Sequence, residues 1–273
     1  MSALKNVETH FKFGENWKNF SALINEERIE EAKKSLIKFF GSKGLEGKTF
    51  LDIGCGSGLF SLAALLLGAK HVTAVDIDQD SVATTKSVLE NFAPDKNFDC
   101  FVESVFDLDP KKQGTFDIVY SWGVLHHTGD MYKAIEKAIG MVKPKGFLAI
   151  ALYKKTPMCW FWKIEKRLYT NSPKWIQAIL RGLWYTAWVL VFGVIFRNNL
   201  FSYVKNYKSS RGMSFSHDVH DWLGGYPYES IAPDEMHAFS KKNSLKVHAE
   251  FLIPSCRLGL LGTGCDEYVF NKD

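Results

Sequence analysis

The chain has 273 residues, 46% of them apolar and 23% charged, with 21 Phe, 10 Tyr and 8 Trp. That length holds one large α/β domain, or one domain with a substantial insertion, and the apolar and aromatic content excludes a disordered or collagen-like chain. A net charge of +4 is too mild to argue for nucleic acid by itself, and five widely spaced cysteines with no C-x-x-C pair exclude a zinc ribbon and argue for a reducing compartment.

The opening MSALKNVETHFKFGENW has neither an apolar h-region nor an Arg-rich amphipathic pattern, so it reads as neither an export nor an organelle signal. Residues 23–40 read as a helix, with Ile29, Ala32, Leu36 and Phe40 on one stripe and Gly41 placed to end it. A strand is expected at 48–53, a mostly apolar helix at 57–67 closed by Gly68, a strand at 71–76 and a helix near 79–91. Further strands follow at 98–102, 116–121 and 147–152, with a helix at 131–141 between the last two. A helix near 233–242 and strands at 245–252 and 266–270 close the chain. Strands separated by helices mean a mostly parallel, doubly wound sheet covered on both faces, which binds ligands beyond the carboxyl ends of its strands.

The strongest motif joins the first strand to the first core helix: Phe50-Leu51-Asp52-Ile53-Gly54-Cys55-Gly56-Ser57-Gly58. Gly54 and Gly56 permit backbone angles closed to other residues and let a ligand touch the main chain, and Gly58 lets the helix pack close to the strand. A dinucleotide fingerprint would need glycine where Leu59 stands. Asp52, directly before the loop, is unhelpful beside a pyrophosphate but suits a cationic ligand. Asp76 ends the second strand, where a carboxylate can accept both hydroxyls of a ribose. Together these features describe a nucleoside with a positively charged tail.

The segment resembles the first motif of class I S-adenosylmethionine-dependent methyltransferases, and the likeness runs through Gly146 or beyond. The resemblance implies a Rossmann-like fold with a mostly parallel seven-stranded sheet. It also implies S-adenosyl-L-methionine as cofactor, with Gly54, Cys55, Gly56 and Gly58 along its methionyl part, Asp52 near its amino group and Asp76 on its ribose. Ile77 follows that acid, and Glu103-Ser104-Val105 stands where the family contacts adenine, so Ser104 and Val105 are candidate contacts, with Asp107 nearby and Ser121 at the end of the fourth strand. Ser121 to Asp130 (SWGVLHHTGD) looks like the post-strand segment of the small-molecule and quinone-biosynthesis methyltransferase group, and Lys143-Pro144-Lys145-Gly146 precedes the fifth strand. The chain then divides into a lid and helix at 1–46, a cofactor-binding core at 47–153, a basic aromatic helical insertion after strand five at 154–232, and the rest of the core sheet at 233–273.

Methyl transfer from a sulfonium is an in-line displacement, so the protein must align the acceptor and exclude water, and a hydroxyl acceptor benefits from a general base. His126 and His127 lie at the ligand-binding edge, with His127 the candidate base and one of the pair expected to be structural. The stretch from Ser214 to Glu229, SFSHDVHDWLGGYPYE, reads as a Gly/Pro-punctuated loop. In it, His217 with Asp218 or Asp221 can form a base and its orienting carboxylate, the His and Asp residues can ligate a divalent metal, or the Asp residues can hold a structural corner. No third ligand motif accompanies them, and no metal is expected. Trp222, Tyr226 and Tyr228 either wall an acceptor pocket or pack the insertion onto the core. Phe11, Phe13 and Trp17 are candidate lid aromatics, and His10, His71, His237 and His248 read as structural or surface residues.

Residues 154–212 carry eleven basic side chains against the single acid Glu165, and five of the eight Trp: Trp160, Trp162, Trp175, Trp184 and Trp188. Gly182 to Phe196 are 15 residues without a charge, flanked by Arg181 and Arg197. A bilayer span needs about 20 residues, and a single crossing would separate strands of one sheet, so the segment either lies in a membrane interface or caps the active site. Cations and aromatics also suit RNA, although an unbroken Val, Leu, Ile and Phe run has no purpose there. The expected activity is methyl transfer to a small or lipid-linked acceptor, at oxygen in preference to nitrogen or carbon. It is placed in the cytoplasm with peripheral contact to an anionic membrane; an RNA methyltransferase and a non-catalytic membrane-associated module are the alternatives.

Overall fold

The computed structural model describes residues 24–190, 215–254, 259 and 264–273, and the side chains at 188–190, 215–218 and 221 fall outside that description. Helix α1 (Glu26–Phe40) starts at Asn25, whose side chain accepts the Arg28 N–H, and ends at Gly41 with φ 78°. Its buried stripe is Ile29, Ala32, Leu36 and Phe39. Phe39 replaces the expected Phe40, which lies partly exposed beside it: the turn leading into Gly41 sets which ring points inward.

Seven strands form one sheet in the order β3-β2-β1-β4-β5-β7-β6: β1 (Thr49–Ile53), β2 (His71–Asp76), β3 (Phe98–Val102), β4 (Phe116–Trp122), β5 (Val142–Tyr153), β6 (Leu245–Phe251) and β7 (Cys265–Lys272). The first five run parallel; β7 inserts antiparallel between β5 and β6. This is the Rossmann-like methyltransferase fold. Alternation along β1 divides the core, because successive side chains leave opposite faces of a strand. Phe50 joins Leu36, Leu62, Leu65, Val72 and Leu89 on one face, whereas Leu51 and Ile53 join Val119, Ile135, Leu148 and Ile150 on the other. The first face is covered by α1, α2 (Leu59–Leu66) and α3 (Gln79–Phe92), the second by α5 (Met131–Gly140) and α9 (Pro233–Lys242); a short α4 (Pro110–Gln113) precedes β4.

The chain builds outward from β1 to β3, then returns to add β4 on the other side of β1. The carboxyl ends of β1 and β4 therefore flank the point where strand order reverses, the place at which open α/β sheets bind ligands. β5 is longer than expected and takes in Lys143-Pro144-Lys145-Gly146, with a register shift opposite Phe116 and Ile118 and with Lys145 at φ 62°. The proline and the positive φ mark an irregularity inside the strand, not its start.

After β5 come α6 (Cys159–Thr170), α7 (Lys174–Leu190) and α8 (Phe215–Gly224). Within the stretch read as a loop, Phe215–Gly224 is helical: Val219 and Leu223, four apart, form one apolar face that buries against Tyr169, with Leu180, Trp184 and Trp222 packed on it. Tertiary burial outweighs the weak helix preference of Ser, His and Asp there. The insertion is tied to the sheet by a bridge between Lys154 and Ile231 and by the Trp162 indole N–H donating to the Gly259 carbonyl at 2.7 Å. No helix among the described residues is long and apolar enough to cross a membrane.

Candidate active site

The loop after β1 is held by main-chain bonds. The N–H groups of Gly54 and Cys55 both donate to the Val75 carbonyl, at 2.8 and 3.1 Å, which fastens the loop to the end of β2. Gly54 has φ 78°, and a Cβ there would lie 2.6 Å from Val124 Cγ1, so only glycine lets the turn after β4 approach. Gly58 is the left-handed N-cap of α2; a Cβ on it would meet Thr85 Cα at 2.9 Å. Its close neighbour is thus α3, not the strand that the sequence reading had supposed. Thr85 donates across the same gap toward Cys55 Sγ and the Gly56 carbonyl, each at 3.2 Å. The Cys55 thiol is buried and pushed well above its ordinary pKa, chiefly by desolvation, which leaves its main chain as the part a ligand can meet.

Two carboxyls flank this loop, Asp52 buried and Asp76 half-buried. Asp52 accepts from the Ser61 hydroxyl at 2.6 Å, and burial pushes its pKa up to about 7 against that hydrogen bond, with Asp76 adding in the same sense. Asp76 accepts the Gly56 N–H on one oxygen (3.1 Å) and the Asp78 N–H on the other (3.0 Å); burial raises it to about 6 despite those bonds. Each oxygen retains a second lone pair for a hydroxyl. Ile77 follows between Asp76 and Asp78, the N-cap of α3. A buried acid of raised pKa binds a cation or donor to full effect, because ionisation is costly only while the charge lacks a partner.

Glu103 donates its N–H to the Asp76 carbonyl at 2.9 Å, and its carboxylate accepts from Gln113 at 2.8 Å on both oxygens. Ser104 caps the short turn Val105–Asp107 by accepting the Phe106 N–H at 3.3 Å, and Val105 is buried. Ser121 is fully buried and its hydroxyl donates to the Ile53 carbonyl at 2.9 Å. Through that bond Ser121 braces the base of the glycine loop from β4.

The histidine pair lies in a 3-10 turn, Leu125–His127. Thr128 closes the turn on the Leu125 carbonyl (2.7 Å), and Asp130 caps α5 by accepting the Lys133 N–H. Half of the HHTGD segment is therefore scaffold. His126 is fully buried; its Nδ1 accepts the Tyr153 N–H at 3.3 Å, and its ring lies 3.8 Å from that of Tyr153. His127 is partly exposed, with Nδ1 2.8 Å from the Pro227 carbonyl oxygen. A carbonyl only accepts, so Nδ1 carries the proton and the neutral ring has its basic lone pair on Nε2.

The segment after α8 thus packs directly on this turn. Glu229 donates its N–H to the His126 carbonyl (3.0 Å) and accepts the Met131 N–H (2.9 Å), while the Ile231 N–H reaches Tyr153 O (3.0 Å). Trp222 and Tyr228 lie 5.6 and 5.4 Å from the Tyr153 ring, so they wall this corner and pack the insertion on the core at once. His217, Asp218 and Asp221 lie on α8, but their side chains are outside the described residues, as are Phe11, Phe13, Trp17 and His10. His71 pairs with Asp99 at 3.1 Å and His237 with Glu250 at 2.7 Å, both away from the loop. Sequence reasoning missed Tyr153 and Lys166. Tyr153 ends a strand at the rim. Lys166 sits in the buried stripe Trp162, Lys166, Tyr169, a cation in line with two aromatics at helical spacing.

Residues 51–150 match the Methyltransferase domain family. That stretch, which holds the glycine loop and the histidine turn, is similar to a class I methyltransferase domain of the S-adenosylmethionine-dependent type. Over 113 residues the chain is 35% identical to the ubiquinone biosynthesis O-methyltransferase of Xanthomonas campestris pv. campestris (strain B100), a match covering 41% of this chain and 46% of the relative. The chain thus spans about half the length of the curated relatives it matches. Among solved structures it is similar to the magnesium protoporphyrin IX methyltransferase of Synechocystis PCC 6803 with bound SAH (TM-score 0.53, 13% identity, 90% of this chain and 82% of that one). It is also similar to the N-methyltransferase NodS of Bradyrhizobium japonicum WM9 (TM-score 0.52, 12% identity, 95% and 98%). Likeness at that identity shows a shared fold.

Proposed function

We propose that the protein transfers a methyl group from S-adenosyl-L-methionine to a hydroxyl of a small or lipid-linked acceptor. The loop fits the cofactor because its glycines let the turn after β4 and helix α3 close in around the exposed main chain of the loop, and because two carboxyls, Asp52 buried and Asp76 half-buried, are available as acceptors for a cation and a sugar. In this reading Gly54, Cys55, Gly56 and Gly58 lie along the methionyl part, Asp52 faces its ammonium, Asp76 takes the ribose hydroxyls with Ile77 beside it, and Ser104 and Val105 border the adenine. The cofactor supplies an electrophilic methyl on a sulfonium. The protein's own work is to align the acceptor oxygen, exclude water and take up its proton.

The observation that carries the reading is the His127–Pro227 contact. By holding Nδ1–H on a carbonyl it fixes the tautomer in which Nε2 is the base, at the rim beyond β4, as hydroxyl methylation near neutral pH requires. The O-methyltransferase named among the relatives supports oxygen as the atom methylated. His217 with Asp218 or Asp221 remains a second candidate base.

A lipid-linked acceptor is supported by the outer faces of the insertion. Trp160, Ile164 and Leu168 on α6, and Trp175, Ile179 and Leu183 on α7, repeat every four residues and are all exposed, the two tryptophans by 63% and 67%. Lys163, Arg167 and Lys174 are exposed among them. Apolar stripes edged by cations suit an anionic lipid surface at headgroup depth, which supports a peripheral position at the cytoplasmic face of a membrane. The test is incubation of the enzyme with methyl-labelled cofactor and a cell extract separated into lipid, small-molecule and RNA fractions. Label should enter a lipid or small-molecule fraction as an O-methyl group, and His127→Gln should lower its rate about 10²–10³-fold with cofactor binding intact. Label confined to RNA would establish the alternative.

A further inference from the structure

The corner around Tyr153 holds more hydrogen-bond donors than the protein satisfies. His126 accepts the Tyr153 N–H on Nδ1, so its own proton sits on Nε2. Burial, with His127 and Lys166 near, keeps the ring neutral, and Nε2 has no hydrogen-bond partner. The Trp222 indole N–H is likewise buried and unpartnered, and an indole nitrogen can only donate. Lys166 joins them, fully buried on α6, with its Nζ 3.7 Å from the Trp222 ring centroid and 5.6 Å from that of Tyr228 and its charge felt at His126. It donates to the Trp222 carbonyl, one bond for a group with three N–H donors. Burial lowers the pKa of the Lys166 ammonium from its ordinary value and raises that of its chain neighbour Glu165, each charge opposing the shift of the other, and Glu165 Oε2 is buried without a hydrogen-bond partner.

A buried donor left unpaired costs about 1–3 kcal/mol, and an ammonium held down by burial regains its charge most readily beside an anion. A fold carries such groups together where a ligand completes them. Their rings adjoin: His126 to Tyr153 at 3.8 Å, Tyr153 to Trp222 at 5.6 Å. His126 and Tyr153 in turn lie 4.4 and 5.2 Å from the ring of His127, the candidate base. We infer that this corner binds an anionic oxygen group of the acceptor, a carboxylate or phosphate, through the Lys166 ammonium and the N–H groups of His126 and Trp222. The acceptor is then an acidic hydroxyl compound, anchored by its anion on α6 and α8 while its hydroxyl faces His127. This inference rests on the proposed methyl transfer for its reference to an acceptor, but the anion site itself does not need it.

The test is calorimetric titration of the full chain, saturated with S-adenosylhomocysteine, with 3,4-dihydroxybenzoate, 4-hydroxyphenyl phosphate and uncharged catechol. At least one charged probe should bind about tenfold or more tightly than catechol, the size of a hydrogen bond to a charged group. The tighter of the two identifies the group. Lys166→Met should erase the preference and leave catechol unchanged. Trp222→Phe removes the N–H together with part of the ring while keeping an aromatic face, and should weaken the charged probe by about three- to tenfold with catechol binding retained, which keeps the test decisive if Lys166→Met no longer binds S-adenosylhomocysteine. Catechol binding as tightly as both charged probes, or an undiminished preference in Trp222→Phe and Lys166→Met, would overturn the inference. If the charged probes bind as expected yet no label moves to any hydroxyl, the methyl-transfer reading fails and the anion site stands.

Discussion

The glycine rim and the wall opposite it are built by different means. At the rim the main chain does the shaping: Gly54 and Cys55 hang on the Val75 carbonyl, Asp76 ties Gly56 to Asp78, and Val124 occupies the space that a Cβ on Gly54 would need. Across from it, the wall is a set of side chains from β5, α6 and α8 (Tyr153, Trp162, Lys166 and Trp222), gathered around a histidine turn. Backbone geometry tolerates few residues and serves a constant ligand. A side-chain wall can be rewritten one residue at a time, so under the proposed function it is the part suited to acceptor choice.

If the rim depends on main-chain shape, its most damaging change is a small one. Gly54→Val forces a β-branched residue to φ 78° and drives its Cβ into Val124. The strain and overlap together should cost at least about 5 kcal/mol, comparable to the whole stability of a domain. Thermal melting should show a collapsed or missing transition, with no rescue by S-adenosylhomocysteine. A variant that folds and binds normally would show that the approach of Val124 is dispensable.

The buried acids give a smaller effect of definite sign. Asp52 is raised to about 7 in the folded protein, mainly by burial, so between its unfolded value of 3.8 and about 7 the folded state holds the proton more tightly. Its contribution is therefore greatest below pH 4 and declines as pH rises toward 7, by up to about 4 kcal/mol for a shift of about three units. Asp76, raised to about 6, acts in the same direction. Unfolding by denaturant from pH 4 to 8 should show wild type losing stability relative to Asp52→Asn, and S-adenosylhomocysteine, whose ammonium the proposed site sets near Asp52, should reduce the difference. Equal slopes in the two proteins would remove Asp52 from the electrostatics of the rim.

Much of the rim was legible in the sequence because its signals are local. Gly54, Gly56 and Gly58 need their spacing, and Asp52 and Asp76 sit at strand ends that apolar runs define. The strand order beyond β5 was less so, because β7 pairs antiparallel between β5 and β6, and adjacency in space there runs against adjacency in sequence. The opposite wall was legible only in part. His127 stood in a recognisable segment, but its partner Pro227 lies 100 residues away. Lys166 looked like one more base in a basic stretch until the packing of α8 buried it. Residues 215–224 carried polar loop residues whose helical state rests on Val219 and Leu223 meeting Tyr169, a contact no local pattern announces.

The outer face of the insertion offers the gentlest test, because it asks the wall to serve two ligands at once. On its inner side α6 buries Trp162, Lys166 and Tyr169; one turn around, the same helix exposes Trp160, Ile164 and Leu168. Replacing exposed Trp160 and Trp175 by Ser leaves that inner stripe untouched, so folding and cofactor affinity should not change. Membrane affinity should fall: an interfacial indole buries apolar area at about 25 cal/mol per Å², so two partly inserted rings supply on the order of 2–4 kcal/mol. Flotation with anionic vesicles should recover wild type with the liposomes and the double variant with the soluble fraction, and raised salt should weaken the first through Lys163, Arg167 and Lys174. Wild type that stays soluble with anionic vesicles would leave the side-chain wall facing only the acceptor, and would assign these stripes to packing within the protein or against another copy of it.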